Sequence, residues 1–256
     1  MKHLILGNGP AGVIAAETIR KQSPGDDIVL LGDEPGPPYS RMAIPYLLAG
    51  QIAEEGTRLR KGTDHFGSQR ITLRTGRAKS IDAKKRSVLL EDGATLAFDR
   101  LLIATGSSPV RPPIEGIDLP GVHPCWTLAD ARKIMALAKP GAKVLQMGAG
   151  FIGCIIMEGL AKRGVLLTVV EMADRMMPRM MGPGAGGMVK RWVQAKGVSV
   201  HTSSRVESIR ESGAALKVRL QGGAEVDADL VISATGVSPN IAFLKGSGVS
   251  CGQGVR

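Results

Sequence analysis

The sequence predicts an α/β chain of two similar units, each a parallel sheet with helices plus a β-meander excursion. Three observations predict it. A glycine loop, Gly7-Asn8-Gly9-Pro10-Ala11-Gly12, recurs as Gly148-Ala149-Gly150-Phe151-Ile152-Gly153. A second matched pair, residues 99–106 and 229–236, ends both times in Ala-Thr-Gly, with Pro109 and Pro239 three residues beyond. Composition agrees: 43% hydrophobic and 22% charged residues allow a core, while 34 glycines beside 3% aromatics point to tight turns and close backbone approach.

Each element follows from local pattern. Residues 3–6 and 143–147 are apolar runs ending at a glycine loop, which reads as a buried strand in each case. Residues 13–21 and 154–163 continue each loop as a helix, and residues 28–31 and 166–170 follow as second apolar strands. An acid closes each strand, Asp33 or Glu34 in the first copy and Glu171 in the second. Residues 86–90 before Asp92-Gly93, and 216–220 before Gly222-Gly223, are turn-punctuated alternating segments and predict short antiparallel strands. Between the copies, Pro109, Pro112, Pro113, Pro120 and Pro124 exclude a helix or central strand, so a linker runs there. Residues 127–138 regain helical spacing through Leu128, Ala131, Ile134, Met135 and Leu137. The resulting division is 1–111, 112–236 and a return segment, 237–256.

The loops carry the chemistry. In a strand–loop–helix setting, the first glycine of GxGxxG permits the turn, the second admits a diphosphate, and the third lets helix and strand pack. The helix N-terminus adds free N–H groups and the positive end of its dipole. Glu34 lies 22 residues beyond Gly12 and Glu171 lies 18 beyond Gly153, so each suits a carboxylate accepting from an adenosine ribose. Two such Rossmann-like units imply two dinucleotides. A carboxylate at Glu171 accepts from a free 2′-hydroxyl and repels a 2′-phosphate, which favours NADH over NADPH. Arg175 reads as a solvated helix residue.

Other classes of function fit less well. The formal charge of +10 suits an anionic partner, but the basic residues are scattered and no aromatic-basic motif points to nucleic acid. No stretch has the length and apolarity of a membrane span, and the first residues lack the length of a secretion signal. Cys125, Cys154 and Cys251 have no metal-ligand or CxxC spacing, so a reducing cytoplasm is the expected location. His3, His65, His123 and His201 are too far apart in sequence for a triad or ligand set. No catalytic side chain and no metal site is expected. Met172, Met176, Met177, Met180 and Met181 read as a flexible packing surface.

The order of motifs resembles the FAD-dependent pyridine nucleotide–disulfide oxidoreductase superfamily across essentially the whole chain. Glu34-Pro35-Gly36-Pro37-Pro38-Tyr39-Ser40-Arg41 is most similar to the branch of NADH–rubredoxin and NADH–ferredoxin reductases and the flavin portion of NADH-dependent nitrite reductase. The resemblance implies that Gly7, Gly9, Pro10, Ala11 and Gly12 hold FAD, with Glu34 on its adenosine ribose and Arg41 near the flavin. It places Ala78 beside the adenine, and Ala104, Thr105 and Gly106 where the chain leaves for the second unit. Gly148, Gly150, Phe151, Ile152 and Gly153 would then hold NAD, with Glu171 on its ribose and Gly236 at the matching return. Hydride would pass from NADH to FAD, and electrons onward to an acceptor, either an iron–sulfur protein or a nitrite-reductase-type partner. The alternatives are an NADH oxidase or peroxidase using oxygen, and a non-catalytic nucleotide or redox sensor.

Departures from the family pattern refine this. Residues 34–51 contain no cysteine, which excludes a thiol relay there. A lysine and a glutamate that pair near the flavin in some relatives are replaced by Tyr46 and Ile155, leaving Glu158 as a candidate substitute. Relatives also continue into a final FAD-domain strand and an interface domain, so the first unit is expected to be incomplete at its C-terminal end.

Overall fold

Leucine, isoleucine and valine runs too short for helices become the central strands of two parallel sheets. In the computed structural model, which describes residues 1–62 and 64–255, the chain groups into two units. One comprises Met1–Ser40, Thr57–Ser108 and Ser238–Arg256; the other comprises Arg41–Gly56 and Pro109–Val237.

In the first unit Lys2–Leu6 lies between Asp27–Gly32 and Arg100–Ile103, and Ile71–Thr75 completes a four-stranded sheet. All three pairings are parallel. The helix Pro10–Gln22 follows the first loop. Its Val13 and Ala16 pack on Ile5, Ile28 and Leu30 on one face of the sheet. The strands Ala78–Asp82, Ser87–Leu90 and Thr95–Ala97 form the antiparallel excursion. From it Ile81, Val88 and Leu90 meet Leu4, Leu6 and Leu31 on the opposite face. Leu244, from the return segment, is 2% exposed and belongs to this same cluster. Burying a leucine contributes about 1.5–3 kcal/mol, which ties the return segment into the first unit.

The second unit repeats the plan. Its sheet runs in the order Ser199–His201, Leu166–Val170, Lys143–Met147, Leu230–Ser233, Val122–Pro124, all parallel. Pro124 sits on the edge strand, where a missing N–H is tolerated. Val206–Ser212, Ala215–Leu220 and Glu225–Ala228 form its antiparallel excursion. The helix Leu128–Leu137 is started by a reciprocal cap: the Asp130 N–H donates to Thr127 Oγ1 at 3.1 Å, and the Thr127 N–H donates to Asp130 Oδ2 at 2.8 Å.

The structural units end at Ser108 and Val237, and one internal segment changes sides. Arg41–Gly56 groups with the second unit, whereas a cut at residue 111 leaves it in the first. The short helix Ile44–Leu48 buries Ile44, Leu47 and Leu48. The second loop helix, Phe151–Lys162, bares Gly159 towards it; a Cβ there would stand 3.1 Å from Leu48 Cβ and from the Pro45 carbonyl. Arg163 also donates to the Leu48 carbonyl at 3.3 Å.

The strands Ile71–Thr75 and Ser199–His201 and the helix Pro183–Ala195 are additions to the sequence expectation. Three glycines in that helix mask its periodicity, and the two strands are edge strands with mixed polarity. Among the described residues, no helix is long and apolar enough to cross a membrane.

Candidate dinucleotide sites

The two glycine loops have the same local geometry. Gly7 has φ +112° and Gly148 φ +98°, a region an L side chain rarely enters, and a Cβ at either would run into the carbonyl of Ala104 or Ala234. Each loop is thereby seated against its own Ala-Thr-Gly return. A Cβ on Gly12 or Gly153 would collide with the carbonyl of Gly7 or Gly148, so the third glycine lets the helix start close under the loop. Gly9 and Gly150 differ from these four. A Cβ on either would meet nothing within 4 Å, and both have extended backbone that any residue adopts, at φ −71°, ψ −176° and φ −72°, ψ −172°.

These second glycines are the N-caps of the Pro10–Gln22 and Phe151–Lys162 helices, and neither helix has a side-chain cap. Val13 and Cys154 are the first residues whose N–H donates back into the loop, to Gly9 and Gly150. The N–H groups of Ala11 and Gly12, and of Phe151, Ile152 and Gly153, therefore belong to the unclosed first turns. Pro10, at the first helical position, has no N–H to offer. Open space over a glycine, bordered by helix N–H groups and the positive dipole end, fits a diphosphate. Phe151 is 48% exposed at this mouth.

A solvent-open cleft of about 420 Å3 in the first unit adjoins its loop. Gly7, Asp33, Arg77, Ala78, Thr105 and Asn240 line it, with Leu6, Leu31, Gly76 and Phe243. Gly7, Ala78 and Thr105 thus line one cleft. Glu34 is not among the lining residues; its Oε2 accepts the Tyr39 hydroxyl at 2.6 Å, and Asp33 is the acid that faces the cleft. Arg41 belongs to the second unit, with its guanidinium 5.2 Å from the Trp126 ring centroid. Gly106 accepts the Asn240 N–H at 3.0 Å, and Gly236 accepts the Val110 N–H at 2.9 Å.

Asn240 is the residue that sequence reasoning missed. The Thr105 hydroxyl donates to its carbonyl at 2.8 Å, its Nδ2 donates to the Thr105 carbonyl at 2.9 Å, and Ser108 Oγ donates to its Oδ1 at 2.8 Å. Its only sequence signal was the Pro-Asn that follows the second Ala-Thr-Gly.

Glu171 is 9% exposed and lies against the second loop. Its Oε2 accepts the Ala149 N–H at 2.7 Å and its Oε1 accepts the Ala173 N–H at 2.8 Å. Arg175 is not helical. It braces the loop that follows, donating to the carbonyl of Met181 at 2.9 Å and to Asp174 at 2.7 Å. The methionines split: Met176 is fully buried, while Met172 and Met180 are exposed. Glu158 faces solvent and pairs with Lys162 at 2.7 Å.

Burial pushes the Cys125 thiol up to about 12, and burial followed by the nearby Glu171 charge pushes Cys154 up to about 11. Ionisation of both thiols is thereby disfavoured.

The chain is similar to known proteins. The chain is 35% identical over 263 residues to an NADH oxidase of Methanocaldococcus jannaschii, covering 99% of this chain and 58% of that protein. It is 32% identical to the ferredoxin–NAD(+) reductase component of the biphenyl dioxygenase system of Paraburkholderia xenovorans, covering 98% of this chain and 62% of that one. Among solved structures, the ferredoxin reductase for the CYP199A2 system of Rhodopseudomonas palustris superposes with a TM-score of 0.92 at 28% identity, over 99% of this chain and 63% of that chain. The chain therefore spans about 60% of the length of such relatives. The family model for pyridine nucleotide-disulphide oxidoreductases matches residues 1–256, and the chain belongs to that family.

Proposed function

We propose that this chain supplies the two nucleotide cradles of an NADH-dependent flavoprotein reductase working in the cytoplasm. The carrying observation is the paired open space over Gly9 and Gly150, each at the uncapped N-terminus of a helix. In the first unit, Gly9, Ala11 and Gly12 would hold the diphosphate of FAD, and Asp33, Ala78 and Thr105 would border its adenosine. Glu34 would support that end through Tyr39. In the second unit, Gly150, Phe151, Ile152 and Gly153 would hold the diphosphate of NADH. Glu171 would place negative charge at its ribose end, which disfavours a 2′-phosphate.

FAD, when bound, supplies hydride acceptance from NADH and onward electron transfer. The protein's task is to bind, to orient, and to keep reactive side chains away, and burial disfavours ionisation of the Cys125 and Cys154 thiols. The electrons pass to an acceptor protein of the iron–sulfur class, a reading supported by the ferredoxin reductases among its relatives. Oxygen is the second reading, favoured by the 35% identity to an NADH oxidase. Anaerobic NADH titration of the FAD-loaded protein, followed by stopped-flow reoxidation with an iron–sulfur protein or with oxygen, separates the two. Bound FAD that NADH never bleaches would refute the enzyme reading and leave a nucleotide-binding sensor.

A further inference from the structure

We propose that Glu171 is the brace of the second glycine loop, filling from the strand a space that Asn8 fills from the loop in the first unit. The inference rests on the reading of the second loop as a dinucleotide cradle and adds a role to Glu171 beyond cofactor choice.

Strand register makes the positions equivalent. Gly7 N–H donates to the Leu31 carbonyl at 2.7 Å, and Gly148 N–H donates to the Val170 carbonyl at 2.8 Å. Leu6 lies opposite Leu31 as Met147 lies opposite Val170. Gly32 therefore corresponds to Glu171, and Asn8 to Ala149. In the first unit the strand end is bare and the loop carries the polar side chain: a Cβ on Gly32 would overlap the Asn8 carboxamide. In the second unit the loop is bare at the fully buried Ala149, and the strand carries the polar side chain. There the Glu171 carboxylate takes the Ala149 N–H of the glycine loop and, just beyond its own strand, the Ala173 N–H, charge-assisted bonds that tie the loop to the strand end. Each copy has one polar side chain in this space, and the two solutions exclude each other sterically.

Glu171 thus combines two separable effects. Its bonds hold the loop for any ADP-containing ligand, and at the ribose end its carboxylate favours a free 2′-hydroxyl and acts against a 2′-phosphate. Transplanting the first unit's solution restores one without the other.

The test is calorimetric titration of the purified protein with ADP-ribose and with 2′-phospho-ADP-ribose, with excess FAD present to fill the first cradle. Glu171→Gly is expected to weaken ADP-ribose by about tenfold or more, the loss of a loop bond to a charged acceptor. The double variant Ala149→Asn/Glu171→Gly binds ADP-ribose at least about threefold more tightly than Glu171→Gly, without regaining the ribose bond, and loses the discrimination against the 2′-phosphate. Glu171→Gly binding ADP-ribose like wild type would overturn the brace. So would a double variant that melts like wild type and binds no better than the single one. Wild type that fails to bind ADP-ribose at all would overturn the dinucleotide reading itself. The reciprocal pair reads the equivalence without the second unit: Gly32→Glu lowers FAD retention, and adding Asn8→Ala restores it. No restoration there also overturns the proposal.

Discussion

Gly150→Val asks whether the second loop keeps glycine for its own fold or for a ligand. Gly150 has φ −72° and ψ −172°, which valine adopts without strain, and its Cβ would meet nothing within 4 Å. A non-capping residue at this N-cap costs about 0.5–1 kcal/mol. Restricting the unfolded chain returns about 0.4–1 kcal/mol. Stability should therefore change by less than about 1 kcal/mol, or roughly 2–4 °C in melting temperature. Binding responds differently, because the new side chain fills the space a diphosphate would enter. Each lost hydrogen bond from a backbone N–H to a charged acceptor is worth about 1.5–3 kcal/mol. Two such bonds amount to at least about a hundredfold in affinity. Scanning calorimetry and NADH titration on the same preparation read both quantities. Gly153→Val is the contrast: its side chain would collide with the Gly148 carbonyl, so it should lower stability as well as binding. A Gly150→Val protein that binds NADH like wild type would show that no diphosphate sits over this glycine.

Three further outcomes follow from the first unit and the thiols. Asn240→Ala removes the side-chain bonds to the Thr105 carbonyl and Ser108 hydroxyl and should cost about 1–3 kcal/mol, with faster FAD release in a fluorescence dissociation assay. Hydrogen bonds from Arg60 hold the Glu17 carboxyl below its ordinary range, aided by His65 and opposed by burial. The stabilisation this provides is present above the ordinary carboxylate value and lost as pH falls through the depressed one. Glu17→Gln should therefore be less stable at neutral pH and lose less on acidification, as melting curves across pH would record. Because the Cys125 and Cys154 thiols are pushed up to about 12 and about 11, iodoacetamide at pH 8 should label the exposed Cys251 first; rapid labelling of Cys154 by mass spectrometry would contradict its burial.

The elements that sequence pattern predicts well are those whose partners lie within one repeat. Strand 143–147, the glycine loop and strand 166–170 form a local β-α-β unit, so apolar runs and glycines suffice to locate them. Long-range closure left weaker traces. Ile44, Leu47 and Leu48 look like any apolar turn of helix, and nothing near them in sequence names a cover more than 100 residues away at Gly159. Asn240 meets Thr105 across 135 residues. The acid closing the first strand was ambiguous between neighbours because alternate residues of an extended strand end point to opposite sides; the structure turns Asp33 to the cleft and Glu34 to Tyr39. Arg175 looked like a helix residue because its loop bonds, to carbonyls a few residues on, leave no periodic signature.

The two units agree and differ in an informative way. Gly9 and Gly150 share backbone angles to within a few degrees, and both carry open space at an uncapped helix. The first and third glycines meet the same kinds of carbonyl in each copy. Yet the side chains around them are not shared: Asn8 over Gly32 in one, Glu171 under Ala149 in the other, and the Asn240 clamp on Thr105 in the first copy. Packing alone could be satisfied by many loop shapes, and these different surroundings would be expected to produce different ones. The common shape is what the proposed binding of two dinucleotides requires, because the diphosphate is the part that FAD and NADH have in common. Substitutions at Gly9 and Gly150 should then act alike on their respective ligands, whereas Glu171, unlike Asn8, also carries the charge that acts on a 2′-phosphate.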